Sequence, residues 1–275
     1  MGDDALWAEA ANYTGIDPGR WARVFPDASD QAQKGGAVAW AISCAVRLAL
    51  EGQVDAICTA PIHKSLLHQA GFGFPGHTEF LAHLCGLEHN PLMVLAGPKL
   101  TVATLTTHVR LGDVPSLLSV EGVYQQLATA WAFAQRELAL DAPRLALAAL
   151  NPHGGEDGRF GDEEMTILAP AVQRCAAQGI RVDGPISADT VFVQALHGAY
   201  DMVIAPTHDQ ALIAIKVAHF GAAVHITAGL PFVRTSPDHG TAMEKKGTPD
   251  ADPSSMIHAL SMAAKLAHRR RRVRA

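Results

Sequence analysis

Three histidines stand one to three residues beyond apolar segments of the chain, at points where strands are expected to end. They are His108, His153 and His208. A cluster of neutral imidazoles from separate loops is a common way to hold a divalent metal ion, so these side chains are candidate metal ligands. Each could instead cap a loop or pack in a turn, and the order of the residues does not show that the three meet.

Five polar segments interrupt the apolar pattern where strands should end, and the three histidines lie in three of them. Ligands of open α/β sheets bind outside the carboxyl ends of the strands, so the five segments are expected to converge on one cleft. The segments cover residues 59–64, 106–108, 151–156, 206–210 and 234–240.

Two further stretches could bind an anion through backbone amides. The glycine-rich stretch 154–161 lies between a predicted strand and a predicted helix, and Thr78 lies near a predicted helix start at Gly76, where free amides favour negative charge. A structural turn is an equally good interpretation of the first stretch, and ordinary helix capping of the second. The sequence contains no HExxH, GxSxG, Walker A or kinase motif, which disfavours those classes of enzyme.

Short apolar runs alternate with longer helical patterns, which predicts an α/β fold with a parallel or mixed sheet covered by helices. No internal repeat or linker divides the chain, so it is expected to form one catalytic unit. The predicted helices cover 31–51, 77–85, 119–138, 162–178 and 252–268, and the predicted strands cover 54–60, 92–96, 101–106, 144–150, 200–205 and 223–228.

The composition indicates a globular protein. Of the 275 residues 48% are hydrophobic and 18% charged, which argues against disorder. The net charge of -5 argues against a general nucleic-acid binder, and the arginines at 269–272 and 274 are expected to form a solvated tail. Four widely spaced cysteines without a CxxC motif suit reduced thiols and a cytoplasmic location. We expect no signal peptide and no membrane segment.

Several ordered motifs resemble the 4-hydroxythreonine-4-phosphate dehydrogenase family, the NAD-dependent enzymes of pyridoxal phosphate synthesis. The resemblance runs from about residue 35 to 255. It is carried by TAPIHK (59–64), GHTEF (76–80), TTH (106–108) with Leu111, Asp113 and Val114, NPHGGE (151–156), ADT (188–190), HDQ (208–210) and GLPFVRTSPDHGTA (229–242).

The resemblance implies a two-lobed fold similar to the isocitrate/isopropylmalate dehydrogenases. Lobe A would comprise about 1–75 and 230–275, and lobe B about 76–229. The resemblance also implies a homodimer whose interlobe cleft is completed by the partner subunit. NAD would be bound without a Rossmann fingerprint. The family's metal ligands fall on His108, His153 and His208, and its substrate contacts on His77, Thr78, Lys216 and Arg234.

The implied chemistry is oxidation of a secondary alcohol by hydride transfer to NAD, followed by loss of carbon dioxide from the β-keto acid. The substrate would be 4-phosphohydroxy-L-threonine, a phosphorylated hydroxy acid. Alternatives are a phosphorylated threonate-like acid, a carboxylated cyclic diol, or a truncated homologue that binds ligand without turnover. The divalent metal is zinc, magnesium, manganese or cobalt, and imidazole ligands favour the softer ions.

The residue types suit this chemistry. Lys216 and Arg234 supply positive charge for phosphate or carboxylate, and arginine can bind bidentately. Lys216 and Asp189 are the candidate catalytic residues. Asp189 would act as an acid, a base or an orienting group, but a helix cap within 187–190 explains it nearly as well.

Two departures from the family pattern carry expectations of their own. His225 stands where a substrate-binding Asn is common, so we expect an altered anion pocket and either weaker binding of 4-phosphohydroxythreonine or preference for another acid. The usual N-terminal strand and Gly/Asp loop have no counterpart before Gln31. We therefore expect one strand fewer at that place, residues 1–30 packed as short helices or a loop, and a lower catalytic rate with metal binding less affected.

Overall fold

The computed structural model describes residues 36–62, 73–74, 76–245, 248 and 250–274. Within them, eight strands form one mixed sheet in the order β1-β8-β7-β2-β3-β6-β4-β5. The predicted α/β class with a mixed sheet is confirmed. The strands are β1 (Ala56–Cys58), β2 (Leu92–Ala96), β3 (Thr101–Thr104), β4 (Leu145–Ala148), β5 (Val182–Ile186), β6 (Met202–Ala205), β7 (Val224–Ala228) and β8 (Val233–Pro237).

Eight α-helices accompany the sheet in the described part of the chain. None of these helices combines the length and the apolar character that a membrane span requires. They are α1 (Gly36–Leu50), α2 (His77–Leu84), α3 (Val114–Leu117), α4 (Val120–Arg136), α5 (Ala169–Ala177, preceded by a π turn at Glu164–Leu168), α6 (Ala188–Leu196), α7 (His208–His219) and α8 (Ser254–Arg274).

Helices cover both faces of the sheet because its inner strands are apolar on both sides. β4 and β6, with the sequences LALA and MVIA, are buried along their whole length, as strands between two helix layers must be. Alternate residues of β4 belong to two core clusters, one shared with α4, α5 and α8 and the other with α6 and α7. A third cluster joins α1, α2 and the chain at Leu230 and Phe232.

The sheet changes direction at its centre. β1, β8 and β2 run one way, whereas β7, β3, β6, β4 and β5 run the other way. The carboxyl ends of β3, β4 and β6 therefore lie at one edge of the sheet and that of β1 at the opposite edge. The polar segments that follow these strands cannot all meet at one edge, and a shared site has to extend across the sheet.

The polar segment 234–240 is predicted to follow a strand, and this is wrong for its first half. Val233–Pro237 forms β8, which pairs with β1 on one side and β7 on the other. Its residues Arg234, Thr235 and Ser236 are buried despite their polar side chains, and Thr235 Oγ1 donates to the carbonyl of Ala259 at 2.9 Å. Because these residues are polar, the apolar pattern of the sequence did not predict this strand.

The sheet is continuous through both predicted lobes. β1 and β8 come from the ranges predicted for lobe A, and the other six strands come from lobe B. The division into lobes, with its boundaries near 75 and 230, stays a prediction. The expectations for residues 1–30 and for His63 and Lys64 lie outside the described residues.

The arginine-rich end of the chain is not simply a solvated tail, which corrects the expectation from sequence. Helix α8 continues to Arg274, and Arg270 is buried with its Nη1 3.0 Å from Glu137 Oε1. Arg270 also donates to the carbonyl of Pro231 at 2.8 Å. The neighbouring Arg271 donates from Nε to Asp55 at 2.6 Å. These contacts tie α8 to the end of α4 and to the turn before β8.

Replacing Arg270 with alanine is expected to lower the free energy of unfolding by about 3–5 kcal/mol, because it removes the nearer of two guanidinium groups paired with the buried Glu137 carboxylate and leaves Arg136 at 3.8 Å. Urea denaturation followed by circular dichroism measures the change. The control is Arg272→Ala, which removes an exposed arginine in the last turn of α8 and should change stability by less than about 0.5 kcal/mol. Equal effects of the two variants would contradict a specific role of the Arg270–Glu137 pair.

Candidate active site

A cleft of about 630 Å³ crosses the central strands of the sheet. The strands are only three to five residues long, about 10–17 Å, so loops from both edges reach the same cleft. Four of the five polar segments contribute to it. Seven predicted site residues line it together: His77, Thr78, His108, His208, Lys216, His225 and Arg234.

Arg234 lies at the bottom of the cleft on β8, 2% exposed. Its Nη1 donates to Thr227 Oγ1 at 2.9 Å and its Nη2 to Thr59 Oγ1 at 2.6 Å. Burial lowers the pKa of Arg234 to about 10, so the guanidinium is charged at neutral pH. Among the described residues, Nε has no hydrogen-bond partner. Among the described residues, the side-chain partners of this buried cation are hydroxyl groups and an imidazole and include no carboxylate, so an anionic ligand would neutralise it.

His225 adjoins Arg234 from the neighbouring strand β7. Its Nδ1 is 3.3 Å from Arg234 Nη1 and 3.2 Å from Ser236 Oγ. Burial, followed by electrostatic interactions with Arg234, His77 and His108, lowers the pKa of His225 to about 3. The imidazole is therefore neutral under all ordinary conditions.

A second cation, Lys216 on α7, enters the cleft opposite an acid that the sequence analysis did not select. Lys216 Nζ lies 3.4 Å from Asp238 Oδ2. Burial raises the pKa of Asp238, and the charge of Lys216 opposes that shift. Asp238 lies in the segment 229–242, which carries part of the family resemblance. Its pairing with Lys216 depends on the packing of α7 beside the end of β8.

Two of the three predicted metal ligands meet. The ring centroids of His108 and His208 are 5.6 Å apart, and two imidazoles bound to one ion at near-tetrahedral angles have centroids roughly 5 Å apart. His208 Nδ1 lies 2.7 Å from Asp209 Oδ1. A carboxylate at Nδ1 fixes the proton there and leaves Nε2 as the metal-binding nitrogen.

Helix α2 brings His77 and Thr78 into the cleft at its amino-terminal turn. The helix begins after Gly76, which is the N-cap and has no side chain to accept from the first amides. Thr78 is the second residue of the helix and so does not cap it. No side-chain hydrogen bond caps the helix at Gly76, so the capping interpretation of this stretch is wrong, and the positive end of the helix lies among the residues that line the cleft.

The glycine-rich stretch 154–161 is a structural turn. The buried carboxylate of Glu164 accepts from the backbone amides of Leu150 and Asn151 at 2.8 and 2.7 Å. A Cβ on Gly155, whose φ is +81°, would lie 2.8 Å from Glu164 Oε2. The anion next to this loop is thus the protein's own carboxylate, and the phosphate-binding interpretation is not supported.

His153 and Asp189 do not line the cleft of their own chain. His153 is exposed in the turn Pro152–Gly155, with a φ of +53°. Asp189 is exposed in the first turn of α6, behind the N-cap Ser187, so it is not itself the cap. The turn and the helix are neighbours. Within the described residues of one chain, no group of three or more His, Cys, Asp or Glu side chains is placed to hold a metal.

A mixed-sheet α/β scaffold places a buried guanidinium, an ammonium and a pair of imidazoles in one cleft, an arrangement that suits a small anionic ligand. The chain belongs to the family described as Pyridoxal phosphate biosynthetic protein PdxA, whose model matches residues 16–263. The resemblance seen in the motifs is therefore confirmed. Members of this family are dehydrogenases.

Three comparisons illustrate the relationship. The 4-hydroxythreonine-4-phosphate dehydrogenase of Methylorubrum populi is 44% identical over 97% of this chain and 78% of its own length. The crystal structure of the Klebsiella pneumoniae enzyme of the same name is 46% identical, with a TM-score of 0.79 over 86% of this chain and 71% of that one. The crystal structure of a terephthalate 1,2-cis-dihydrodiol dehydrogenase from Burkholderia xenovorans is 26% identical. Its TM-score is 0.66, and the match covers 88% of this chain and 78% of that one.

Proposed function

We propose that the protein is a metal- and NAD-dependent dehydrogenase that oxidises and decarboxylates 4-phosphohydroxy-L-threonine. The observation that carries the proposal is the single cleft that places Arg234 and Lys216 beside the pair His108 and His208. The substrate named for the relatives has two anionic groups and one secondary alcohol. Two cations and a metal-binding pair are what such a molecule requires.

Arg234 and Lys216 would hold the two anions of the substrate, the phosphate and the carboxylate. Arg234 is already oriented by Thr59 and Thr227, so little side-chain entropy is lost when an anion binds. Lys216 is paired with Asp238, which keeps its Nζ within the cleft. The alcohol carbon would then lie between the two anion contacts, near the imidazoles.

The residues present fit a divalent metal ion. His108 and His208 have the spacing of two ligands, and Asp209 supports the Nε2-binding form of His208. We propose that the third ligand is His153 of a second copy of the chain. His153 is exposed, as a residue offered to another subunit must be. Asp189, exposed on the adjoining helix, would reach the partner's cleft with it.

A bound divalent ion would stabilise negative charge on the alcohol oxygen, and NAD would serve as the hydride acceptor. On this proposal the substrate would lose the hydride of its alcohol C–H bond and would give its alcohol proton to a base. The bond to the carboxylate then breaks, carbon dioxide leaves, and the enol carbon receives a proton. Lys216 Nζ, next to Asp238, is the ammonium of this chain that we propose to donate the proton to the enol carbon. Asp189 from the second copy would assist it.

An apolar face beside the imidazoles supports the proposal of a homodimer. Ile213 and Val217, one turn apart on α7, are 64% and 84% exposed, and Phe220, which follows the helix, is 87% exposed. Leu111, in the loop that follows His108, is 73% exposed. A contiguous exposed apolar surface of this kind marks an interaction site, and it adjoins the edge of the cleft that still needs a third ligand.

Val217→Asp is expected to convert the dimer to a monomer and to remove activity at the same time, because a carboxylate cannot be buried in an apolar interface without a partner. Sedimentation velocity and an activity assay measure the two effects. Leu260→Asp is the control, since Leu260 of α8 is 52% exposed and outside the cleft region. A Val217→Asp variant that stays dimeric would contradict this interface.

All four cysteines are free. Burial raises the pKa of Cys175 to about 11, so its thiol is protonated and unreactive. These features support the proposal that the protein works in a reducing, cytoplasmic environment.

The test of the proposed function is formation of NADH with 4-phosphohydroxy-L-threonine, a phosphorylated threonate-like acid and a carboxylated cyclic diol in parallel. Turnover of the first, with one carbon dioxide released per NADH, supports the proposal. If the protein turns over only one of the other two acids, the proposed chemistry stands and the proposed substrate is wrong. Metal binding without NADH formation from any of the three would indicate a non-catalytic homologue.

A further inference from the structure

The turn that carries His153 has a backbone conformation that L-amino acids rarely adopt. His153 and Glu156 have φ angles of +53° and +46°, and the two glycines between them have +67° and +81°. Such conformations persist only where the surrounding structure fixes them. Contacts from outside the turn must therefore hold it in place.

The carboxylate of Glu164 supplies such contacts. Glu164 is buried in the π turn before α5, and its Oε1 accepts from the backbone amides of Leu150 and Asn151 at 2.8 and 2.7 Å. Its Oε2 accepts from Asn151 Nδ2 at 2.9 Å. These three hydrogen bonds end on the two residues that precede Pro152 and His153.

The far side of the turn lies against the same carboxylate. A Cβ on Gly155 would come within 2.8 Å of Glu164 Oε2 and within 2.9 Å of the carbonyl oxygen of Gly161. His153 is thus exposed on a turn that Glu164 contacts on both flanks. An imidazole on such a support is oriented before it meets a second subunit, and a metal ligand gains affinity from this orientation.

The same region of the chain has a second neighbour, which suggests a different role. Gln210, in the first turn of α7, donates from Nε2 to the carbonyl of Ala149 at 2.9 Å, so the chain after β4 also contacts the helix that begins at His208. Glu164 could support that helix and the cleft of its own chain. Its three hydrogen bonds lie between Ala149 and His153, however, which favours the turn.

We propose that Glu164 is a positioning residue that acts through His153, and so serves the metal site of the partner subunit rather than the cleft of its own chain. This inference rests on the shared metal site of the proposed function. The two roles place Glu164 in different subunits with respect to the site that it supports. Mixed dimers therefore distinguish them.

The experiment measures the affinity for Zn²⁺ alone, by titration against a chelator of known affinity, in single variants and in refolded equimolar mixtures. Glu164→Gln should bind Zn²⁺ about tenfold to a hundredfold more weakly than the wild type, because its amide group presents N–H donors where a carboxylate oxygen accepts from Asn151. Asp162→Asn, at an exposed carboxyl two residues earlier, is the control and should match the wild type.

The mixtures show in which subunit Glu164 acts. Glu164→Gln with His108→Ala should regain sites of wild-type affinity, about one for every four chains, since half of the dimers are mixed and each has one cleft with all three histidines correctly held. Glu164→Gln with His153→Ala should regain none, because both changes affect the ligand that a subunit donates. The reverse pattern would show that Glu164 supports its own cleft and would overturn the inference.

Wild-type affinity of Glu164→Gln, or recovery in neither mixture, would overturn it as well. Gly155→Ala, which crowds the same carboxylate from the turn, should behave like Glu164→Gln. It is the second variant if Glu164→Gln does not form a folded dimer by circular dichroism and sedimentation velocity. If neither variant folds, these contacts support the fold as a whole and the inference is wrong.

Failure of the proposed function gives different results. Zn²⁺ binding of wild-type affinity by His153→Ala would remove the shared site, and the inference with it. A lack of NADH formation by the Zn²⁺-loaded wild type would contradict the proposed activity and leave the role of Glu164 intact.

Discussion

His108→Ala and His208→Ala are each expected to lose stoichiometric metal and to lower kcat/KM about a thousandfold or more. Removing one of two imidazoles in the cleft leaves too few ligands in that chain, and the stabilisation of charge on the substrate oxygen depends on the ion. Metal content by atomic emission and steady-state kinetics measure the two losses. His197→Ala, at an exposed histidine that ends α6, is the matched control and should keep both.

His153→Ala should lose metal and activity to the same extent as His108→Ala, although His153 lies outside the cleft of its own chain. This expectation allows a test with mixed subunits. A mixture of His153→Ala and His108→Ala subunits, refolded together, is expected to regain roughly a quarter of wild-type activity. Half of the randomly formed dimers are mixed, and each mixed dimer has one site with all three histidines. No recovery, with mixed dimers shown to form, would contradict a site shared between subunits. Full metal occupancy in His153→Ala alone would remove it from the ligand set.

Arg234→Met is expected to raise the KM of the substrate about a hundredfold to ten-thousandfold. The guanidinium can offer two hydrogen bonds to one anion, and each hydrogen bond to a charged group is worth about 1.5–3 kcal/mol. Met has a similar volume, and replacing a buried charge by an apolar group is often neutral for stability. Thermal denaturation therefore accompanies the kinetics, so that an unfolded variant is not read as a binding defect.

Arg234→Lys is the informative control because it keeps the positive charge. A bidentate contact requires the planar guanidinium, so Lys should recover only a part of the lost affinity. If Lys restores wild-type KM, charge alone accounts for the effect. If Met leaves KM unchanged in a folded protein, Arg234 does not bind the substrate.

Local sequence signals predicted much of the fold. The helix at 77–85 and the strand at 92–96 correspond to α2 and β2, because their boundaries are marked by a glycine N-cap and by an unbroken apolar run. Strand β5 was missed since its sequence VDGPI contains Gly and Pro, which are typical turn residues. Helix α7 was not predicted, although Thr207 and Gln210 form a capping box, a pattern that is typical of a helix start.

The site was predictable in its residues but not in its arrangement. Family motifs selected seven residues that line one cleft, yet they did not select Asp238, whose pairing with Lys216 depends on how α7 packs beside β8. The contact of His225 with Arg234 likewise depends on the pairing of β7 with β8. Which side chains pair across different elements is known only from the tertiary structure. In a mixed sheet, the sequence also does not show which strand ends lie at the same edge.

The most direct test of the shared metal site is anomalous diffraction at the absorption edge of the bound metal in crystals of the loaded protein. The account predicts one ion in each cleft, coordinated by His108 and His208 of one subunit and by the partner subunit's His153. An ion bound without His108 and His208, or three histidine ligands all from one chain, would contradict it.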